Sequence, residues 1–359
     1  MTKKSHPSAL SVQPGVAGAQ PLNPALGAHL KPQHKLTATQ YVQGILAGDI
    51  TLLSRAITLV ESTLTAHQVL AEEVINACLP HAGKSIRIGI TGIPGVGKST
   101  FIEAFGLHLI REAQKKVAVL AVDPSSQRTK GSIMGDKTRM ELLSQQKDAF
   151  IRPSPSAGSL GGVARKTRET AILCEAAGFD AIIIETVGVG QSETAVKSMV
   201  DYFLLLLLPG AGDELQGIKR GIMEMADGIA INKADGDNLK RAQLAAADVK
   251  RAIHLFPADP RGWHVPVDTC SSLENLGIAT LWQNIERFER HMVTKGYFEK
   301  TRQAQASYWL RETITEALLH QFHENENVKQ RYAELEAAIK TNAVSPFTAA
   351  RELLALFVK

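Results

Sequence analysis

Gly92-Ile93-Pro94-Gly95-Val96-Gly97-Lys98-Ser99 constrains this chain more than any other stretch. It satisfies G-x-x-x-x-G-K-[ST] at every fixed position. The glycines let successive backbone N–H groups face one concavity, because no Cβ stands in the way. Lys98 can reach the β- and γ-phosphates of a nucleotide, and the Ser99 hydroxyl can ligate Mg²⁺. The helix that runs on through Thr100 presents its positive end to the anion. Such a loop needs a strand before it and a helix after it. Ile86-Arg87-Ile88-Gly89-Ile90-Thr91 reads as the buried strand. Phe101, Ile102, Phe105, Leu109 and Ile110 recur close to a helical period and supply the helix.

The surrounding sequence extends this unit into an α/β fold. Apolar runs at Ile86–Thr91, Val117–Val122, Ala149–Arg152, Ala181–Glu185, Phe203–Leu208, Gly228–Ile231 and Val265–Thr269 alternate with helical stretches such as Arg165–Ala177 and Asn238–Ile253. That rhythm predicts right-handed βαβ units and a mostly parallel sheet covered by helices on both faces. Ligands of such sheets sit at the carboxyl ends of the strands. Residues 84–289 are therefore expected to form a nucleotide-binding domain of the P-loop NTPase class. Residues 37–83 read as a helical N-terminal extension, with Asp49 and Thr51 as candidate caps at a break between helices. Residues 290–359 read as a helical, charge-rich C-terminal extension. There Tyr308-Trp309 is open to two readings, core packing or a helical arm that pairs with a second copy. Residues 1–36 are rich in Pro, Gly, Ala and His, carry no acidic residue and no arginine, and read as a disordered tail.

Composition narrows the function. With 359 residues the chain can bury a large core, and its net charge of +4 gives no reason to expect nucleic-acid binding. Phe203–Leu208 is the most conspicuous apolar run, far short of the ~20 residues a membrane helix needs, so no membrane is expected. The three cysteines, Cys78, Cys174 and Cys270, are scattered, which argues for a reducing, cytoplasmic setting.

The residues beyond the loop select the nucleotide. Asn232-Lys233-Ala234-Asp235 follows an expected strand and fits N-K-x-D. The Asp235 carboxylate can accept two hydrogen bonds from guanine, where adenine offers no donor. Lys233 would lie along the base and Asn232 would brace the loop. Cys270-Ser271-Ser272-Leu273 follows another strand end, either as a plain turn or as a loop whose N–H groups meet the guanine oxygen. Glu185-Thr186-Val187-Gly188 stands where GTPases usually carry Asp-x-x-Gly, and the Gly188 N–H would sense the γ-phosphate. Asp123 and Asp136 are further acids that can reach a metal on the same sheet edge. Ser99, Asp123, Asp136 and Glu185 are the candidate Mg²⁺ groups, and not all four can ligate directly, because Mg²⁺ keeps several waters. Asp136 is also open to reading as a helix cap. Val189 follows Gly188 where Ras-like GTPases place the water-orienting glutamine, so intrinsic hydrolysis is expected to be slow.

Together, Asp123-Pro124-Ser125-Ser126, Gly131 to Met140, Glu185 to Glu193 and Gly212 to Lys219 resemble the MeaB/ArgK family, the GTPases associated with methylmalonyl-CoA mutase and related to the human methylmalonic aciduria type A protein. The resemblance runs from about Thr37 to the end of the chain. It implies a homodimeric GTPase of the SIMIBI class, dimerised through the C-terminal extension. Such a protein gates adenosylcobalamin loading and protects or reactivates the mutase, or a related acyl-CoA mutase, without itself holding cobalamin. It also implies that Asp123, Asp136 and Glu185 serve the metal site, and that Pro209–Gly221 is an additional switch loop with Asp213 and Lys219 as its charged residues. An alternative is a metallochaperone GTPase for nickel. That activity should need a His-rich tract or paired Cys and His; the histidines His6, His29 and His34 are dispersed.

Overall fold

A computed structural model describes residues 36–122, 140–153, 160–186, 192–210 and 220–358. Asp123, Asp136, Gly188, Val189, Asp213 and Lys219, and the expected tail up to residue 35, lie outside the described residues.

Among the described residues three helices come first: α1 (Ala38–Leu46), α2 (Ile50–Glu61) and α3 (Thr65–Cys78). Asp49 starts α2, its Oδ1 accepting from Thr51 N at 2.8 Å and Leu52 N at 3.1 Å. Thr51 is therefore not a cap. It sits in the first turn and supplies one of the N–H groups that Asp49 satisfies.

The core alternates strand and helix: β1 (Ile86–Gly92), α4 (Lys98–Arg111), β2 (Val117–Val122), α5 (Glu141–Ser144), β3 (Ala149–Arg152), α6 (Leu160–Ala176), β4 (Ala181–Thr186), α7 (Ser192–Lys197), β5 (Tyr202–Leu207), α8 (Arg220–Met225), β6 (Gly228–Ile231), α9 (Leu239–Ile253), β7 (Val267–Thr269) and α10 (Ile278–Thr294). All seven strands pair in parallel, in the order β3-β2-β4-β1-β5-β6-β7. The expected seventh strand began at Val265. It begins two residues later because Pro266 has no N–H to give a ladder and only accepts, from Ile229 N at 2.9 Å.

β1 is the central strand. Ile86, Ile88 and Ile90 are buried in one apolar cluster with Phe101, Phe105 and Leu109 of α4 and with Trp282, Ile285 and Phe288 of α10. Each such side chain contributes about 1.5–3 kcal/mol on burial. On the other face Gly89 lets α7 approach closely: a Cβ there would stand 3.0 Å from Val196 and Val200 and 2.7 Å from Phe203. β5 is buried along its whole length, as befits an internal strand of a sheet covered on both sides.

Three helices complete the chain: α11 (Tyr297–Glu324), α12 (Glu326–Lys340) and α13 (Pro346–Val358). The end of α11 joins α12 and α13 in a small separate cluster around Val328, Leu335, Ala349 and Leu353. Trp309 is buried, as core packing requires, and Tyr308 is exposed. No helix among the described residues is long and apolar enough to cross a membrane.

At the amino ends of the strands the core is tied by charge. The buried Glu175 carboxylate of α6 accepts from Arg87 Nε and Nη2 at 2.8 Å each, from Ser85 Oγ at 2.6 Å and from Gly83 N at 2.8 Å. Burial alone would raise this carboxyl. The Arg87 fork and the two other donors outweigh it and hold the group below its ordinary value. The contribution is complete above the unfolded value of about 4.3 and drains as pH falls through the lower folded value. Glu175→Gln should cost about 3 kcal/mol at neutral pH and flatten this part of the acid-induced loss. Urea unfolding of both chains from pH 7 down to the acid range measures it. Equal stability of the two at pH 7 would contradict the role given to the carboxylate.

Candidate guanine nucleotide site

β1 delivers its last residue into the phosphate loop. Gly92 pairs with Leu206 of β5, and a Cβ at Gly92 would lie 2.6 Å from the Leu206 carbonyl oxygen. Only glycine lets the chain leave the sheet this close to its neighbour. Gly95 and Gly97 take left-handed φ values of 81° and 92°. Val96 is fully buried and anchors the loop from below, while Pro94 and Gly95 are exposed. Gly97 then caps α4, whose first turn holds Lys98, Ser99 and the exposed Thr100.

Lys98 Nζ donates to Gly92 O at 2.8 Å and lies 3.5 Å from Ile93 O. Burial lowers this ammonium, and the nearby charges of Glu185 and Glu193 only partly restore it. A polyphosphate would supply the missing counter-charge. Glu185, on β4 at the level of Ile90, is 4% exposed. Its Oε1 accepts from Ser99 Oγ at 3.4 Å. Two hard oxygen groups thus meet beside the phosphate loop, a donor set that fits Mg²⁺. Next to them Thr186 Oγ1 donates to Thr91 Oγ1 at 3.0 Å, fixing the ends of β1 and β4 together.

The second half of the site grows from β6 and β7. Asn232 is 1% exposed and serves both loops. Its Nδ2 donates to Val96 O of the phosphate loop at 2.9 Å. Its Oδ1 accepts from Ser272 Oγ at 2.8 Å and Ser272 N at 3.3 Å. Lys233, at φ 58°, stretches along the surface and donates from Nζ to Gly95 O at 2.9 Å. Ala234 N donates to Cys270 O at 2.9 Å, which joins the two loop segments by their backbones. Asp235 Oδ2 accepts from Ser271 Oγ at 2.5 Å, so the carboxylate that would read guanine is aimed by a fully buried hydroxyl. Leu273 is 78% exposed, beyond the part of the turn that is bonded to the site.

The structure therefore brings together Gly92 to Thr100, Glu185, Asn232, Lys233, Asp235, Ser271 and Ser272 at the carboxyl edge of one sheet. Asp123 and Asp136 are not among the described residues, and no trio of acidic, His or Cys side chains converges among those that are. Sequence reasoning did not single out Glu193, which is 3% exposed near Lys98. Nor did it single out Thr91 and Thr186. Each lies inside or beside a quoted motif, but nothing in its spacing marks it as inward-facing.

Fold and site define the class: this is a P-loop GTPase. Residues 53–327 match the family described as methylmalonyl Co-A mutase-associated GTPase MeaB. The GTPase ArgK of Escherichia coli is 46% identical over 320 residues, which cover 89% of this chain and 96% of that one. The mitochondrial methylmalonic aciduria type A homolog of Mus musculus is 43% identical over 324 residues, covering 88% and 78%. A crystal structure of a LAO/AO transport system kinase superposes with a TM-score of 0.71 at 40% identity, covering 90% of this chain and 98% of that one. The chain belongs to the MeaB family.

The geometry separates two roles. Asp235→Asn should relax the preference for guanine toward xanthine while leaving phosphate contacts alone. Asn232→Ala should strip buried partners from Val96 O and Ser272 and cost about 1–3 kcal/mol of stability. It should also weaken GDP and XDP alike. Titration calorimetry with both nucleotides distinguishes the two variants; an Asp235→Asn chain that still selects GDP normally would remove Asp235 from the base site.

Proposed function

We propose that this protein is a GTP-hydrolysing chaperone that gates adenosylcobalamin loading and protects or reactivates methylmalonyl-CoA mutase or a related acyl-CoA mutase. The observation that carries the reading is the joint presence, on one sheet edge, of the phosphate loop, Glu185 and the Asn232–Asp235 reader. The mutase as partner is supported by the family description and by the names of the relatives.

In this reading GTP lies with its phosphates on Gly92–Ser99 and its base against Asp235, Ser271 and Ser272. Lys98 exchanges its bond to Gly92 O for the β- and γ-phosphates and stabilises the charge that shifts as the terminal bond breaks. Ser99 and Glu185, with Asp123 and Asp136 as sequence-level candidates, would hold Mg²⁺, which supplies further charge neutralisation at the phosphates. Gly188 would report the γ-phosphate, and the loop bearing Asp213 and Lys219 would carry that report to the partner. Val189, in place of a water-orienting glutamine, leaves intrinsic turnover slow. Residues 84–289 act as the G domain, 37–83 as a helical brace and 290–359 as the arm of a homodimer. Exposed Ile314, Leu318 and Leu319 on α11 are apolar surface that such pairing would cover. The cysteines Cys78, Cys174 and Cys270 are all free and buried, in keeping with a cytoplasmic protein.

The test is GTP turnover by the purified chain with and without a cognate mutase. Turnover should rise strongly when the mutase is added and be lost in Lys98→Ala, which should retain its fold by circular dichroism. Indifference to the mutase, with fast turnover alone, would overturn the chaperone reading.

A further inference from the structure

α7 is a short helix with one end at the phosphate site and the other tied to α11, the first helix of the C-terminal extension. Its first turn carries Glu193, buried and near enough to Lys98 for its charge to act on the ammonium. Its middle is seated on β1 where Gly89 leaves room for Val196. The segment leaving its carboxyl end, Ser198 to Asp201, is gripped from α11 by side chains spaced three and four residues apart, hence on one helix face. Trp309 Nε1 donates to Ser198 O at 3.1 Å. Gln305 Nε2 donates to Val200 O at 2.8 Å. Arg302 forks onto Asp201, Nε to Oδ1 at 2.8 Å and Nη2 to Oδ2 at 2.7 Å.

We propose that Arg302, Gln305 and Trp309 are positioning residues for GTP hydrolysis: from α11 they fix the carboxyl end of α7, and through α7 the placement of Glu193 beside Lys98. The inference rests on the GTPase reading of the site and adds a control point more than a hundred residues away in sequence. A carbonyl at the end of a helix accepts a bond from whatever donor is offered. Here two carbonyls of the segment just past α7, Ser198 O and Val200 O, are taken by side chains of α11, so a shift of that helix is felt at the end of α7. The interface also holds one amide that is only half satisfied. Gln305 Oε1 is buried with no partner among the described residues. Arg168 stacks its guanidinium 5.5 Å from the Trp309 ring.

Trp309→Phe keeps a ring for packing and deletes the N–H. It should lower kcat for GTP about three- to ten-fold, as loss of one positioning hydrogen bond does, with GDP affinity within about two-fold of wild type. Leu310→Ala, on the exposed side of the same helix, should leave both unchanged. A second readout follows Trp309 itself. In the full chain labelled with 5-fluorotryptophan, assigned by the Trp309→Phe variant, the Trp309 resonance should move when GDP is replaced by a non-hydrolysable GTP analogue. Normal wild-type turnover with an unaltered kcat in Trp309→Phe and a stationary Trp309 resonance would overturn the clamp alone. A wild-type chain that takes up no guanine nucleotide would overturn the GTPase reading and the clamp with it.

Discussion

Burial of β1 on both faces is the constraint from which the rest of the molecule follows. A strand of isoleucines flanked by β4 and β5 has no route to solvent except at its ends. The amino end is closed by the Arg87–Glu175 and Arg302–Asp201 pairs. The carboxyl end must turn sharply between neighbouring strands, and Gly92 is what allows it. The turn leaves its backbone N–H groups without ladder partners, and an anion is the natural partner for such a set. Placement of the site is thus decided by sheet topology, and its chemistry by the side chains the turn exposes.

Much of this was legible in the sequence, and for definite reasons. A parallel strand buried on both faces is written as an uninterrupted apolar run, so Val117–Val122 and Gly228–Ile231 were bounded to the residue. The phosphate loop and N-K-x-D are contiguous, and contiguous motifs need no knowledge of three-dimensional neighbours. Asp49 was recognisable as a cap because capping is local. Thr51 was not excluded, because two candidates two residues apart look alike until one is seen to accept and the other to donate.

What stayed hidden is what depends on distant partners. Asn232 was expected to brace a loop, but nothing around it announces that its amide reaches Val96, more than a hundred residues earlier. Glu193 sits in a motif that was read for its glycines and its acids at 185, so its approach to Lys98 required the path of α7. The division of labour between Tyr308 and Trp309 could not be read from adjacency, since neighbouring residues on a helix point about 100° apart. Hydrogen bonds from Trp309 and Gln305 to the end of α7 belong to the same category: each is a contact between elements that pattern alone places on the same molecule but not against each other.

The double duty of Asn232 has a consequence for how specificity in this protein can change. In the proposed site one amide group is shared by the loop that would grip phosphate and the loop that would recognise the base, so substitution there should alter both kinds of recognition at once. Among the described residues Asp235 has no such tie to the cradle; its carboxylate accepts from Ser271 Oγ of the loop after β7. In the proposed site, drift or engineering toward another purine should therefore be open through the carboxylate and closed through the amide. The chain has one adjustable dial for the base and one fixed rivet, three residues apart.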